Sequence, residues 1–285
     1  MYVYEHYTQE ALDKAYNARA TVPNFEDEFR RYRDKTTRVK QALGGEFDVA
    51  YGDGEGQVLD VFPAKAKGTP VNLFIHGGYW AALTKEDCGF VAEALVPAGA
   101  TVVVNSYALA PAVTLDEIVR QCRQCLAWVH AHAAEFGADP NRIYVSGHSA
   151  GGQLIGMLMA PGWHHQHDLP RDVVKGACGI SGIYDLRPIR HAYVNEWLDL
   201  SEEDVLRLSP LFQMPDAACP VIVTWAEKDP SAFSVQGQAY VDALSAKAIE
   251  CRHFEMGGHN HFTIVEELGQ ATSPLFQAVR SQMGL

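Results

Sequence analysis

Long apolar runs and basic residues are both scarce in this sequence. No stretch approaches about 18 uninterrupted apolar residues, the length that crosses a bilayer, and the first residues, M-Y-V-Y-E-H, lack the basic and apolar regions of a signal peptide. Lys and Arg number 23 against 35 Asp and Glu, which gives a net charge of −12. We therefore expect a cytoplasmic protein that binds neither nucleic acid nor membranes.

Cysteines are few and scattered, with six in 285 residues. Cys122 and Cys125 form a C-x-x-C pair without a second pair, so two small buried residues explain it better than zinc or redox chemistry. The segment 163–168, W-H-H-Q-H-D, also lacks a partner motif and is typical of a polar loop. The sequence therefore predicts no metal and no cofactor.

Strand and helix patterns alternate along the whole chain. Short apolar runs predict strands at 71–75, 101–105, 142–145, 173–180, 220–225 and 250–255. Apolar residues spaced three and four apart predict intervening helices, among them 84–98, 114–136 and 233–247, with a closing helix at 263–283. A hairpin at 46–62 precedes them. The pattern predicts an α/β fold with a mostly parallel sheet that helices cover on both faces.

The chain shows neither an internal repeat nor a low-complexity linker, so we expect one domain spanning 1–285. A charged helical segment at 8–43, interrupted at Pro23, is expected to lie across the outside of the domain or near its mouth. The stretch 186–216 contains short helical pieces divided by prolines, which predicts a small cap over a pocket.

The segment 144–152, Y-V-S-G-H-S-A-G-G, contains G-x-S-x-G after a strand-like run. This pattern indicates a strand-to-helix turn that exposes a nucleophile, Ser149, between Gly147 and Gly151. The motif taken alone is equally consistent with a serine that caps a helix after a strand.

Two further glycines, Gly77 and Gly78, directly follow the predicted strand 71–75. Glycines in this position turn their N–H groups into one small volume, and with the Ala150 N–H they would form an oxyanion hole. The alternative is a glycine turn without a chemical role.

An acid after a late strand and a histidine in the last loop complete the order Ser…Asp…His, which is that of α/β-hydrolases. Asp229 is the favoured acid because it lies in the loop after the strand 220–225, with Glu227 and Asp185 as competitors. The spacing alone leaves the base open between His259 and His261.

Five short motifs are spread over most of the chain. They are H-G-G-Y-W at 76–80, Y-A-L-A-P at 107–111 followed by T-L at 114–115, G-H-S-A-G at 147–151, S-G-I-Y-D-L-R-P at 181–188 and H-F-T-I-V-E at 261–266. In combination they resemble the kynurenine formamidase (arylformamidase) branch of the α/β-hydrolases, which is close to the hormone-sensitive-lipase-like esterases. The resemblance implies an α/β-hydrolase fold with a small helical cap.

The resemblance also assigns roles. It favours His261 over His259, because the family's catalytic histidine opens the motif H-F-x-I-V-E. It implies that His261 activates Ser149, that Asp229 orients the imidazole, and that the reaction passes through an acyl-enzyme.

The substrate expected from the resemblance is a small aryl amide of the N-formylkynurenine type. Tyr79, Trp80 and Tyr184 are predicted to line an aromatic pocket for it. Small aryl or short-chain esters are the alternative, since a sequence does not separate an amide from an ester. The oligomeric state is open, with a homodimer as one option.

Overall fold

A central β-sheet organises the computed structural model, which describes residues 1–217 and 219–285. Its strands are β1 Glu46–Ala50, β2 Val58–Phe62, β3 Thr69–Ile75, β4 Thr101–Asn105, β5 Ala138–His148, β6 Val174–Ile180, β7 Val221–Ala226 and β8 Cys251–Met256. They lie in the order β1-β2-β4-β3-β5-β6-β7-β8. β2 pairs antiparallel with β1 and β4, and the neighbouring strands from β4 to β8 are parallel. The predicted mostly parallel sheet with an antiparallel hairpin is confirmed.

Helices precede the sheet and connect most of its strands. They are α1 Gln9–Tyr16, α2 Phe25–Leu43, α3 Lys85–Cys88, α4 Ala92–Leu95, α5 Leu115–His132, α6 Ala150–Met159, α7 Arg187–His191, α8 Asn195–Leu198, α9 Glu202–Leu208, α10 Ser231–Ala246, α11 Thr263–Glu266 and α12 Pro274–Gln282. Within the described residues, no helix combines the length and the apolar character needed to cross a bilayer.

Two of the predicted helices are interrupted. The segment 84–98 divides at Gly89, next to which the Phe90 N–H donates to Thr36 Oγ1 of α2 at 3.1 Å. The closing segment divides before Ser273, whose side chain accepts a hydrogen bond from the Phe276 N–H and starts α12, with Pro274 at its first position.

Side chains of β3 alternate between two apolar clusters. Val71 and Leu73 join the cluster that contains residues of α5, α6 and α10, whereas Phe74 joins the cluster that contains residues of α2, α4 and α12. Successive side chains of a strand point to opposite faces of the sheet. The sheet is therefore covered on both faces, as the sequence predicts.

The loops that follow β3, β5, β7 and β8 meet at one edge of the sheet. They begin after Ile75, His148, Ala226 and Met256, at the carboxyl ends of parallel strands. Open α/β sheets bind their ligands at this edge.

Candidate active site

Ser149 occupies the sharp turn between β5 and α6. Its backbone φ of +55° lies in the left-handed region, which costs a residue with a side chain about 1–3 kcal/mol. Small neighbours make the turn possible: a Cβ on Gly147 would stand 2.3 Å from the Gly151 carbonyl oxygen, and a Cβ on Gly151 would stand 2.1 Å from that of Ile75. The strand-to-helix turn expected from G-x-S-x-G is therefore present at the carboxyl edge of the sheet.

The His261 imidazole lies between a hydroxyl and a carboxylate. Its Nε2 is 3.0 Å from Ser149 Oγ, and its Nδ1 is 2.7 Å from Asp229 Oδ1. The second carboxylate oxygen, Asp229 Oδ2, accepts hydrogen bonds from Ser181 Oγ at 2.6 Å and from the Ala226 N–H at 2.8 Å. Because a carboxylate only accepts hydrogen bonds, Nδ1 carries the proton and Nε2 is left to accept one from the serine.

The competing acids and the second histidine have other surroundings. Asp185 pairs with Arg187, with 2.6 Å between Asp185 Oδ2 and the guanidinium, and also accepts the Arg187 N–H at 2.9 Å. Glu227 accepts the Gly258 N–H at 2.6 Å. His259 lines a surface depression beside β8. Among the described residues, none of the three forms a hydrogen bond with the imidazole that contacts the serine.

The glycine pair after β3 lies against the serine. A Cβ on Gly77 would stand 2.9 Å from Ser149 Cβ, and one on Gly78, whose φ is +94°, would stand 2.2 Å from the Ala82 carbonyl oxygen. The N–H groups of Gly77, Gly78 and Ala150 donate no hydrogen bond within the described part of the chain. Unpaired backbone donors next to a nucleophile are what an oxyanion requires.

His76 contacts this glycine turn. Its ring is fully buried and stacks on Tyr107 with ring centroids 4.1 Å apart, and its Nδ1 donates to the Gly77 carbonyl at 2.9 Å. Burial lowers the pKa of His76 to about 4, since the charged imidazolium would lose its water there. The ring is therefore neutral at pH 7.

Acidification is expected to destabilise the protein partly through His76. Its pKa of about 4 in the folded state lies below the ordinary value of 6.5, so between pH 6.5 and 4 the unfolded chain binds a proton that the folded chain does not. Between pH 7 and 4.5, wild type should lose about 2 kcal/mol more unfolding free energy than His76→Gln, measured by urea denaturation. The exposed His165→Gln serves as control, and parallel curves for wild type and His76→Gln would contradict the expectation.

The wider relationships of the chain agree with this geometry. Residues 72–264 match a family described by its alpha/beta hydrolase fold. Kynurenine formamidase from the zebrafish Danio rerio is 35% identical over 240 residues, which cover 82% of this chain and 80% of that protein. The chain belongs to the kynurenine formamidase family of α/β-hydrolases. The resemblance that the five motifs indicate is thereby confirmed.

Esterases are also related to this hydrolase. Esterase LipC from Mycobacterium tuberculosis is 28% identical over 81% of this chain and 62% of that protein. A crystal structure of a candidate thioesterase from Silicibacter sp. superposes with a TM-score of 0.83 at 26% identity, covering 96% of this chain and 99% of that one. The α/β-hydrolase fold is thus shared across relatives with different names.

A narrow cleft, partly open to solvent, reaches Ser149. It is lined by Ala18, Arg19, Phe29, Tyr32, Gly78, Tyr79, Leu83, His148, Ser149, His261 and Phe262. Phe29, Tyr32, Tyr79 and Phe262 give it aromatic walls. The first four of these residues belong to the N-terminal segment 8–43, which therefore forms one wall of the cleft.

Tyr79 lines the cleft as predicted, but the other two aromatic residues expected there lie in the core. Trp80 is fully buried and its Nε1 donates to Gln153 Oε1 at 3.0 Å. Tyr184 is 1% exposed and stacks on Tyr240 with centroids 4.1 Å apart. Gln153 of α6 bonds the Trp80 ring and Tyr240 of α10 stacks on the Tyr184 ring, so both rings have their partners in the core. The structure therefore corrects the predicted lining at Trp80 and Tyr184.

Helix α2 is hydrogen-bonded and ion-paired to the segment that follows His261. The Tyr32 hydroxyl donates to the carbonyl of Phe262, the residue next to that histidine. Glu266, four residues further on, forms ion pairs with Lys35 and, at 2.7 Å, with Arg31. These contacts join residues that are far apart in the sequence, so no local pattern indicates them.

A carboxylate cluster away from the cleft is the nearest approach to a metal site in the described part of the chain. Oxygen atoms of Asp48, Asp60 and Glu86 lie within 4.8 Å of one another. Lys85 Nζ is 2.7 Å from Asp48 and 2.9 Å from Asp60, and Lys40 Nζ is 2.6 Å from Asp60. The ammonium groups neutralise the carboxylates, so the cluster fits an ion-pair network that ties α2 and α3 to the hairpin.

The C-x-x-C pair lies on α5 and is buried. Cys122 and Cys125 are free thiols, 1% and 0% exposed. Burial raises the pKa of Cys122 to about 12, so the thiolate is disfavoured. The interpretation of both as small buried residues is confirmed.

Proposed function

We propose that this hydrolase is an arylformamidase, which removes the formyl group of N-formylkynurenine or a closely related N-formyl aryl amine. The hydrogen bond between Ser149 Oγ and His261 Nε2 carries the proposal, in a chain 35% identical to zebrafish kynurenine formamidase. The aromatic walls of the cleft, among them Phe29 and Phe262, offer apolar surface for the aryl ring.

The first step is attack of Ser149 Oγ on the formyl carbon. His261 Nε2, 3.0 Å from the hydroxyl, takes the proton as the new C–O bond forms. Asp229, bonded to Nδ1, keeps the ring in the productive orientation and stabilises the imidazolium.

The oxygen of the formyl group becomes an oxyanion in the tetrahedral intermediate. The N–H groups of Gly77, Gly78 and Ala150 lack acceptors among the described residues and are the donors available to it. Each such donor contributes on the order of 3 kcal/mol to the stability of the transition state.

Collapse of the intermediate breaks the C–N bond. His261 returns its proton to the amine nitrogen, the aryl amine leaves, and the formyl group stays as an ester on Ser149. Water then attacks this ester with His261 as base, which releases formate and restores the serine.

The test is a comparison of kcat/KM on N-formylkynurenine and on nitrophenyl acetate with the purified protein. We expect the formamide to be the better substrate and its turnover to stop after treatment with a serine-directed fluorophosphonate. Ester turnover without detectable formamide turnover would overturn the proposal and favour a carboxylesterase of small aryl or short-chain esters. The relationship to esterase LipC supports esterase activity as this alternative.

Replacing Asp229 by Asn is expected to lower kcat on N-formylkynurenine by about 10⁴-fold at pH 7. The amide side chain keeps the shape of the carboxylate but lets the ring adopt the tautomer with Nε2 protonated, which has no lone pair for the serine proton. Asp185→Asn is the matched control, because Asp185 is bonded to Arg187 and does not contact the imidazole. Loss of less than tenfold for Asp229→Asn, with the fold intact by circular dichroism, would contradict the role.

The segment 186–216, which includes α7, α8 and α9, is proposed as the cap of a single domain. Trp197 Nε1 donates to the carbonyl of Tyr79 at 3.1 Å, and Gln153 Nε2 donates to that of Leu208 at 2.8 Å. These bonds tie the segment to the loop after β3 and to α6, which supports the proposal. The cytoplasmic location stays a prediction from the sequence.

A further inference from the structure

Arg19 is the one Lys or Arg side chain among the residues that line the cleft. It lies in the 3-10 turn Ala18–Thr21 between α1 and α2, and it is exposed. Its guanidinium carbon lies over the Phe25 ring, 4.5 Å from the centroid. Contact with the ring limits the freedom of the side chain and holds the cation at the cleft.

The Arg19 guanidinium has no anionic partner within the described residues. No Asp or Glu oxygen lies within 4.0 Å of it, whereas Arg31 on the neighbouring helix binds Glu28 and Glu266. The lining of the cleft contains no carboxylate either. The charge of Arg19 is thus uncompensated at the place where a substrate enters.

The whole chain carries a net charge of −12, so its average field repels anions. A carboxylate on the substrate therefore gains from a local cation at the site. A guanidinium offers paired N–H donors that match the two oxygens of a carboxylate.

We propose that Arg19 is a specificity-determining residue that binds the carboxylate of the substrate. It makes the hydrolase prefer N-formyl aryl amines that carry a carboxylate, such as N-formylkynurenine, to neutral formanilides. The inference rests on the proposed function and adds to it a residue that acts on the part of the substrate away from the reacting carbon.

The test compares Arg19→Gln with wild type on two substrates that share the formamide, of which only one has a carboxylate. N-formylkynurenine carries the carboxylate, and 2-formamidoacetophenone keeps the aryl ketone without the amino acid group. We expect kcat/KM to fall about 10–100-fold on the first, mainly through KM, and less than threefold on the second. Arg19→Lys should recover part of the loss, since it restores the charge without the paired donors.

Arg38→Gln is the matched control, because Arg38 is an exposed arginine of α2 that does not line the cleft. Equal losses on both substrates would mean that Arg19 acts only on the shape of the cleft, and no loss on either would mean that it does not act. Both results overturn the inference.

Failure of the proposed function gives a different pattern. If wild type hydrolyses esters and neither formamide, the substrate assignment is wrong. Competitive inhibition of ester turnover then tests whether Arg19 binds a carboxylate. Arg19→Gln should raise the inhibition constant of kynurenine about 10–100-fold and leave that of the neutral 2-aminoacetophenone unchanged. The same shift for both inhibitors, or for neither, overturns the inference.

Discussion

Ser149→Ala is expected to lower kcat on N-formylkynurenine by about 10⁶-fold, the scale seen when a serine hydrolase loses its nucleophile. His261 Nε2 lies 3.0 Å from the Ser149 hydroxyl. The methyl side chain of alanine has no oxygen that could form the acyl-enzyme. The measurement is single-turnover and steady-state kinetics on the purified variant, together with the loss of labelling by a fluorophosphonate.

Ser245→Ala is the matched control, because Ser245 is an exposed serine near the C-terminal end of α10 that does not line the cleft. It should keep full activity. Residual activity of Ser149→Ala above about one per cent, free of contaminating enzyme, would show that another group is the nucleophile.

His261→Ala is expected to have an effect of the same size, about 10⁶-fold in kcat, because serine and histidine act as one unit in proton transfer. His259→Ala should stay within twofold of wild type. The two histidines are two positions apart, yet one contacts Ser149 and the other lines a depression beside β8.

The pair of variants separates two explanations of activity loss. If damage to the loop were the cause, both substitutions would lower activity and the melting temperature together. Similar losses in both variants, or a larger loss in His259→Ala, would contradict the assignment of the base.

Much of the fold and of the proposed site is predictable from short segments of the sequence. The turn at Ser149 needs glycine at 147 and 151, since a Cβ at either position would collide with a carbonyl oxygen. The five residues 147–151 are therefore enough to predict the turn. Asp229 and His261, the proposed acid and base, follow parallel strands, and the carboxyl ends of parallel strands lie at one edge of the sheet.

Features that depend on packing between distant segments are not predictable in this way. Trp80 and Tyr184 lie next to site motifs, but neighbouring helices decide whether such a ring faces the cleft or the core, and here both are buried. Likewise, the Phe90 N–H beside the break at Gly89 donates to Thr36 Oγ1 of α2, a partner 54 positions earlier in the chain. Periodicity within one segment carries no information about such a partner.

The residues that line the cleft come from two parts of the chain. Ser149, Asp229 and His261 lie inside the region 72–264 that matches the alpha/beta hydrolase family, whereas Ala18, Arg19, Phe29 and Tyr32 precede it. If the proposed function holds, we expect substitutions at these four wall positions to change kcat/KM between substrates while Ser149, Asp229 and His261 keep their mutual contacts.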